Sequence, residues 1–304
     1  MFKIFDNTET IKSARSTGRG KNMWLEILIA VGLMLGTTVF STIVLGIILA
    51  VPTILNGGEL DMTLMTLGTL YITVLTSVVL LLYTRFVERR PLRSIGFTKK
   101  NVVKSYVLGL LVGFIMFSAI MGIGLLTGAF KFIGIESNIQ YIVIILAFIG
   151  FVLQGMEEEI LCRGWLMTTI SRKTAVIAGV IANSIFFAFM HIFNDGIGIL
   201  PLVNLALFGL FASLYMLKTD NIWGVSAIHT IWNFVQGSFY GMSVSGSISL
   251  PTILKFEMTD KTLLNGGAFG PEGGLITTAV LVVGIAILLL LKKKAKSEEP
   301  APQN

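Results

Sequence analysis

The sequence predicts an all-α membrane protein, a polytopic bundle of about eight transmembrane helices. Three observations lead there. Hydrophobic residues make up 54% of the chain and charged residues only 13%, against about a quarter charged in a soluble domain. The apolar residues gather in runs long enough to cross a bilayer, which takes about 20 residues each. Lysine and arginine fall almost entirely in alternate connections between those runs. The longest polar stretches, 1–22, 85–105 and 241–273, are each too short to bury a separate soluble core.

The runs lie at roughly 24–52, 62–84, 106–130, 140–160, 175–193, 200–217, 222–240 and 274–291. The first follows a basic segment and is longer than the apolar core of a secretory signal, so it reads as an uncleaved span. The third carries Gly109, Gly113, Gly122 and Gly124, small residues that let membrane helices approach closely. The fourth holds Glu157, Glu158 and Glu159, and residues 161–174 extend it toward the interface. The fifth carries Asn183, Phe187 and His191, and the seventh His229 and Asn233. The sixth and seventh are the shortest. Residues 241–273, with serine, glycine and two short apolar pieces, read as an outer loop. No internal repeat is visible.

The charge pattern sets the topology. With the N-terminus inside, 20 of the 23 lysines and arginines fall in inner segments, and only Lys131, Lys255 and Lys261 lie outside. This satisfies the positive-inside rule for eight spans with both termini cytoplasmic. The expected organisation is a cytoplasmic segment 1–23, a transmembrane domain 24–291 and a basic, disordered tail 292–304. The expected location is the cell membrane, with the lipid bilayer as one partner. The net charge of +6 is thus a topology signal, which argues against a nucleic-acid partner. The single cysteine, Cys162, excludes an intrachain disulfide framework and any multi-cysteine metal site.

Ionisable side chains inside apolar segments are costly and are functional candidates by default. On a helix, Glu159 and Arg163 are four residues apart in the favourable acid-first order and share a face. Glu158 points about 100° away and has no partner within that stretch. A carboxylate so placed suits a general base. A solvated cluster at the helix end is the other reading of these residues, and Glu157 fits it best. Phe187 and His191 are also four apart, which stacks the ring over the imidazole; a histidine that merely bonds between helices would look the same. Asn183 lies near that face and could orient a ligand or simply pack. His229 and Asn233, again four apart, could donate to one oxyanion or glue helices together.

These stretches have a familiar form. Glu158-Glu159-Ile160-Leu161-Cys162-Arg163 reads EExxxR, Phe187 to His191 reads FxxxH, and His229 to Asn233 reads HxxxN. In this order they resemble the CPBP family of intramembrane proteases, which includes CAAX prenyl endopeptidases and bacteriocin-processing or immunity proteins. The stretch from Phe208 through Trp223 to His229 also resembles the family, and the similarity covers about 140–235. The resemblance implies an endopeptidase acting on a membrane-associated peptide or protein. Glu158 would activate water, held by Glu159 and Arg163. His191 would position the water or polarise the scissile carbonyl, and His229 and Asn233 would stabilise the oxyanion.

Alternatives remain at this stage. A zinc-dependent version, a metalloprotease, would use Glu158, His191 and His229 as ligands, and then Glu158 could not be a free base. A Cys162 nucleophile is conceivable but nothing in the motif requires a thiol. A non-proteolytic immunity or scaffold protein and a proton-coupled transporter are rivals from other classes, although no inverted repeat supports transport. The site is expected to open to the cytoplasm or inner leaflet. One geometric conflict arises: His191 lies about 25 Å along its span and His229 only about 10 Å along its own. Either the fifth span starts near 180, or the helices are tilted and broken.

Overall fold

The computed structural model describes residues 5, 7–16, 22–55, 57–246 and 250–291. The expected disordered tail 292–304 and part of segment 1–23 lie outside the described residues. Helix α1 (Glu9–Ser16) docks on the bundle. Its first backbone amides, Glu9 N and Thr10 N, donate to the Asp220 carboxylate at 3.0 Å each, which supplies the acceptors a helix N-terminus lacks. Helix α2 (Met23–Leu55) is the longest. It leaves Leu28, Ile43, Ile47 and Ile54 exposed, an outer surface suited to lipid.

Helix α3 (Met62–Ile72) starts at Asp61, whose side chain accepts from Thr63 N at 2.8 Å and Leu64 N at 3.0 Å. Helix α4 (Val74–Leu82) follows almost without a break and ends in a π-helical turn, Tyr83–Val87. The connection to α5 (Val102–Thr127) is anchored by the fully buried Arg90. Its guanidinium donates to Glu88 at 3.1 Å, Ser94 Oγ at 3.1 Å and Thr168 Oγ1 at 2.6 Å. Burial brings this group down to about 10, with Glu88 opposing the shift.

Strand β1 (Phe130–Ile135) leads into α6 (Tyr141–Glu159), which continues through a π-helical segment Ile160–Met167 into α7 (Thr168–Ser171). Then come α8 (Val176–Met190), α9 (Ile199–Thr219) and α10 (Trp223–Phe234), the last ending in a π-helical turn, Val235–Phe239. Strand β2 (Leu254–Met258), the short α11 (Thr262–Asn265) and α12 (Leu275–Leu290) complete the described chain. β1 and β2 pair antiparallel, with an irregularity between Phe132 and Gly134. Lys255 pairs with Glu136 beside this ribbon at 2.8 Å and holds that carboxyl below its ordinary range.

The chain is a helical, multi-pass membrane protein, with two departures from expectation. First, the all-α bundle carries one small ribbon, because the region 241–273 contributes a strand that pairs with residues just after α5. Second, five helical stretches among the described residues are long and apolar enough to cross a membrane: Trp24–Leu55, Met62–Val87, Val102–Thr127, Tyr141–Ser171 and Ile199–Thr219. The runs expected at 175–193, 222–240 and 274–291 form shorter helices. α8 stops where His191 leaves helical geometry, at φ −100° and ψ 6°.

α10 is central, packed between α5 and α6, while α8 lies on α9 and α9 on α12. Glycines set these spacings. A Cβ on Gly109 would stand 2.1 Å from Gly224 O, and one on Gly155 would stand 2.9 Å from Thr230 N. Gly122, expected to serve packing like its neighbours, instead faces open space. Gly109→Leu should therefore push α10 off α5. Overpacking costs about 1–3 kcal/mol, so a lowered melting temperature in detergent and a lower folded yield are expected, whereas Gly122→Leu should leave both unchanged.

Candidate active site

The site forms where α6 and its π-helical extension meet α8, α9 and α10. Glu159 and Arg163, four apart, join as expected: Arg163 Nη1 donates to Glu159 Oε1 at 2.7 Å, and both side chains are fully buried. The same carboxylate oxygen accepts from His229 Nδ1 at 2.9 Å. A carboxylate only accepts, so Nδ1 carries the proton. The pair read from spacing is thus a three-member chain, Arg163–Glu159–His229, which ties α6 to α10. Arg163 also lies over the Phe187 ring, 4.3 Å from its centroid.

Glu158 lies beside this chain. Gln154, one turn earlier, donates to Glu158 Oε1. Asn233 Nδ2 donates to Gln154 Oε1 at 2.9 Å. Glu158 Oε2 is buried, has no hydrogen-bond partner, and is 3.7 Å from His229 Nε2. His229 is therefore held on one ring nitrogen and turned toward Glu158 with the other. Phe187 and Phe208 flank its ring edge-on, at 5.8 and 5.2 Å between centroids.

His191 caps the end of α8, and its Nδ1 lies 2.8 Å from Phe187 O. A carbonyl can only accept, so Nδ1 is the donor and Nε2 is free. The Phe187–His191 ring contact expected from spacing is present, with centroids 5.0 Å apart. Glu158, His191, His229 and Asn233 all line one cavity of about 230 Å³. Glu159 and Arg163 do not; they stand behind it.

The depth conflict resolves through α10. Roughly 20 Å of helix separates Glu158 from Ser171, and roughly 22 Å separates His191 from Val176. These two match, and α8 begins at Val176 rather than near 180. α10 instead starts within the protein: Ile222 is fully buried and its N–H donates to Gly96 O at 3.0 Å. The turn at 92–98 is a shelf on which α10 begins, which raises His229 to the level of Glu158.

Asn183, Cys162 and Glu157 lie outside this cavity. Asn183 packs: its amide donates to Val180 O at 2.8 Å and Ser213 Oγ at 3.0 Å, away from the cavity. Cys162 is buried against Met190 Sδ at 3.7 Å and does not line the cavity. Glu157 is buried, so the solvated-cluster reading does not describe it. It lines a second, apolar cavity between α2, α3, α4 and α8. The zinc set fails a fit test: among the described residues no three His, Cys, Asp or Glu side chains are grouped so as to hold a metal ion.

Sequence reasoning missed Gln154, Asn194, Ser245 and Glu272 in the cavity wall. Gln154 precedes Glu158 by four residues, a spacing that could have singled it out. Glu272 carried no such signal, because it enters from a distant connection. Its carboxylate accepts from Trp232 Nε1 at 2.8 Å and from Ser245 Oγ at 2.7 Å.

Removing one partner of a buried ion pair costs about 3–5 kcal/mol. Arg163→Ala, which leaves Glu159 buried with only His229, should sharply lower yield and melting temperature in detergent. Arg163→Lys should recover part of both. Wild-type stability for Arg163→Ala would show that the pair is not formed.

No curated protein matches the chain significantly. A family model described as type II CAAX prenyl endopeptidase Rce1-like matches residues 138–235. That range runs from just before α6 to the end of α10, less than half the chain, and contains every residue of the EExxxR, FxxxH and HxxxN motifs. The chain thus carries an Rce1-like domain at residues 138–235.

Proposed function

We infer that the chain hydrolyses a peptide bond with a water activated by Glu158. One observation supports this above the others: Glu158 lines the cavity, and its Oε2 is buried, lacks a hydrogen-bond partner and lies 3.7 Å from His229 Nε2. A carboxylate oxygen held in this way is a base with a fixed direction. Gln154 occupies the other oxygen and so fixes the carboxylate plane.

In the proposed sequence, Glu158 takes a proton from water as the oxygen adds to the scissile carbonyl. His191, with Nδ1 donating to Phe187 O, offers Nε2 as an acceptor, which suits holding that water rather than polarising a carbonyl. His229 Nε2, when protonated, and the second amide proton of Asn233 donate to the developing oxyanion. The tetrahedral adduct then collapses, and protonated Glu158 returns its proton to the leaving nitrogen. Glu159 and Arg163 touch no reacting atom in this scheme; they set the orientation of His229. No step passes through a metal.

A general base contributes about 10²–10⁴-fold to rate. Glu158→Gln should therefore lower turnover at least that far while the protein still folds. His229→Ala and Asn233→Ala should each cost about 10²–10³-fold as oxyanion donors. Losses in Glu158→Gln and His191→Ala should be far from additive, because both act on one water. The measurement is cleavage of membrane-tethered peptide libraries by the purified chain in liposomes, read by mass spectrometry. Near-wild-type turnover by Glu158→Gln would remove Glu158 as the base.

Cys162→Ser should keep full activity in the same assay, since Cys162 lies outside the cavity. Complete loss with normal folding would revive a thiol mechanism.

A further inference from the structure

The cavity and most of the basic residues lie at opposite ends of the bundle. Arg15 donates to Ser171 O at 3.3 Å, and Arg93 pairs with Asp220 at 2.7 Å. Arg172 and Lys173 pair with Glu26 at 3.0 and 3.1 Å. Lys218 reaches Leu288 O and Leu291 O. These contacts gather into one layer the start of α2, the end of α7, the start of α8 and the ends of α9 and α12. The buried Arg90 joins it through Thr168 and Thr169.

The other end carries the β1–β2 ribbon and the connections 191–198, 241–246 and 266–274. Among the lysines and arginines of the described residues, only Lys131, Lys255 and Lys261 belong to it. The cavity borders this end. Asn194 Nδ2 donates to Ser245 O at 2.8 Å, Ser245 N donates to Glu272 at 2.9 Å, and all three residues line the cavity. They are only half-buried, as is His191. Toward the basic layer, by contrast, every residue from Glu157 to Ser171 is buried. A path from that end to Glu158 would have to cross roughly 20 Å of packed protein.

Basic connections stay on the cytoplasmic side of a membrane. We propose that the active-site cavity opens on the extracytoplasmic side and takes a peptide segment presented there, not a cytoplasmic C-terminal tail. This replaces the cytoplasmic opening expected from sequence, and its substrate class rests on the protease reading. A modified cytoplasmic tail would meet the closed end of the bundle. An exported peptide, or the outward-facing stretch of a membrane protein, would meet the cavity.

The test is thiol accessibility in the full chain, carrying Cys162→Ser so that each added cysteine is alone. Ser137→Cys marks the ribbon end, Lys100→Cys the basic end and His191→Cys the cavity. A membrane-impermeant, charged thiol reagent is applied to intact cells and to inverted membrane vesicles. Ser137→Cys and His191→Cys should react in intact cells, and Lys100→Cys only in inverted vesicles. Reaction of His191→Cys from the Lys100→Cys side overturns the proposal. So does reaction from neither side, or an inverted pattern for Ser137→Cys and Lys100→Cys. The readout needs no catalysis, so failure of the peptidase assay and failure of this proposal are separate results.

Discussion

The buried chain Arg163–Glu159–His229 is the constraint on which the site depends. Three ionisable groups in an apolar bundle are tolerated because each has a partner within hydrogen-bond distance, at 2.7 and 2.9 Å. A buried ion pair rarely adds net stability over a well-packed apolar alternative, but breaking it is costly. Its value here is positional. Glu159 cannot satisfy Arg163 and His229 together unless α6 and α10 stand at one separation and one rotation. Gly155 permits that separation, because a side chain there would strike the backbone at Thr230. The π-helical segment begins at Ile160, immediately after Glu159, and Arg163 lies within it. π-turns often mark functional positions in helices, and this one occurs where the ion pair is formed.

The site was legible in sequence wherever its geometry is that of a single helix. Glu159 with Arg163, Phe187 with His191, and His229 with Asn233 are all four residues apart, and a helix alone decides which of them share a face. The partnership of Glu159 with His229 was not legible, since it depends on how two helices pack. The same holds for Glu158 with His229 across from it, whereas its contact with Gln154, four residues earlier on the same helix, was within reach of spacing. Glu272 and Ser245 come from connections whose path is set by tertiary contacts. The fold shows the same division. Apolar periodicity located the helical segments, but it could not reveal the β1–β2 ribbon. Those strands are short, far apart in sequence and paired only once the bundle exists.

Depth was the other quantity that sequence misjudged. Counting residues from a helix start gives height only if every helix starts at the same surface. α10 does not. It begins on the buried turn at 92–98, held by Ile222 N to Gly96 O and by Trp223 Nε1 to Thr98 O at 2.8 Å. That turn is in turn fixed by Arg90, which reaches across to Thr168 and Thr169 at the end of the helical run that carries Glu158. The level of His229 is therefore set by a basic connection at the far end of the bundle. A residue with no place in the chemistry helps to decide whether the imidazole and Glu158 meet.

The two adjacent glutamates show how one helix can present identical side chains to two different environments. They differ by one position, about 100° of rotation, and that rotation divides their environments. Glu159 turns into the protein, where Arg163 and His229 take one of its oxygens. Glu158 turns to the cavity wall, where Gln154 takes one oxygen and leaves the other without a partner. Exchanging their roles would require the helix to rotate. Contacts to other helices oppose such a rotation, because Glu159 would leave His229 on α10 and Arg163, its guanidinium 4.3 Å from the centroid of the Phe187 ring, would leave its aromatic face on α8. The chain Arg163–Glu159–His229 thus does more than neutralise charge: through its contacts with α8 and α10 it selects which of two chemically identical side chains faces the cavity.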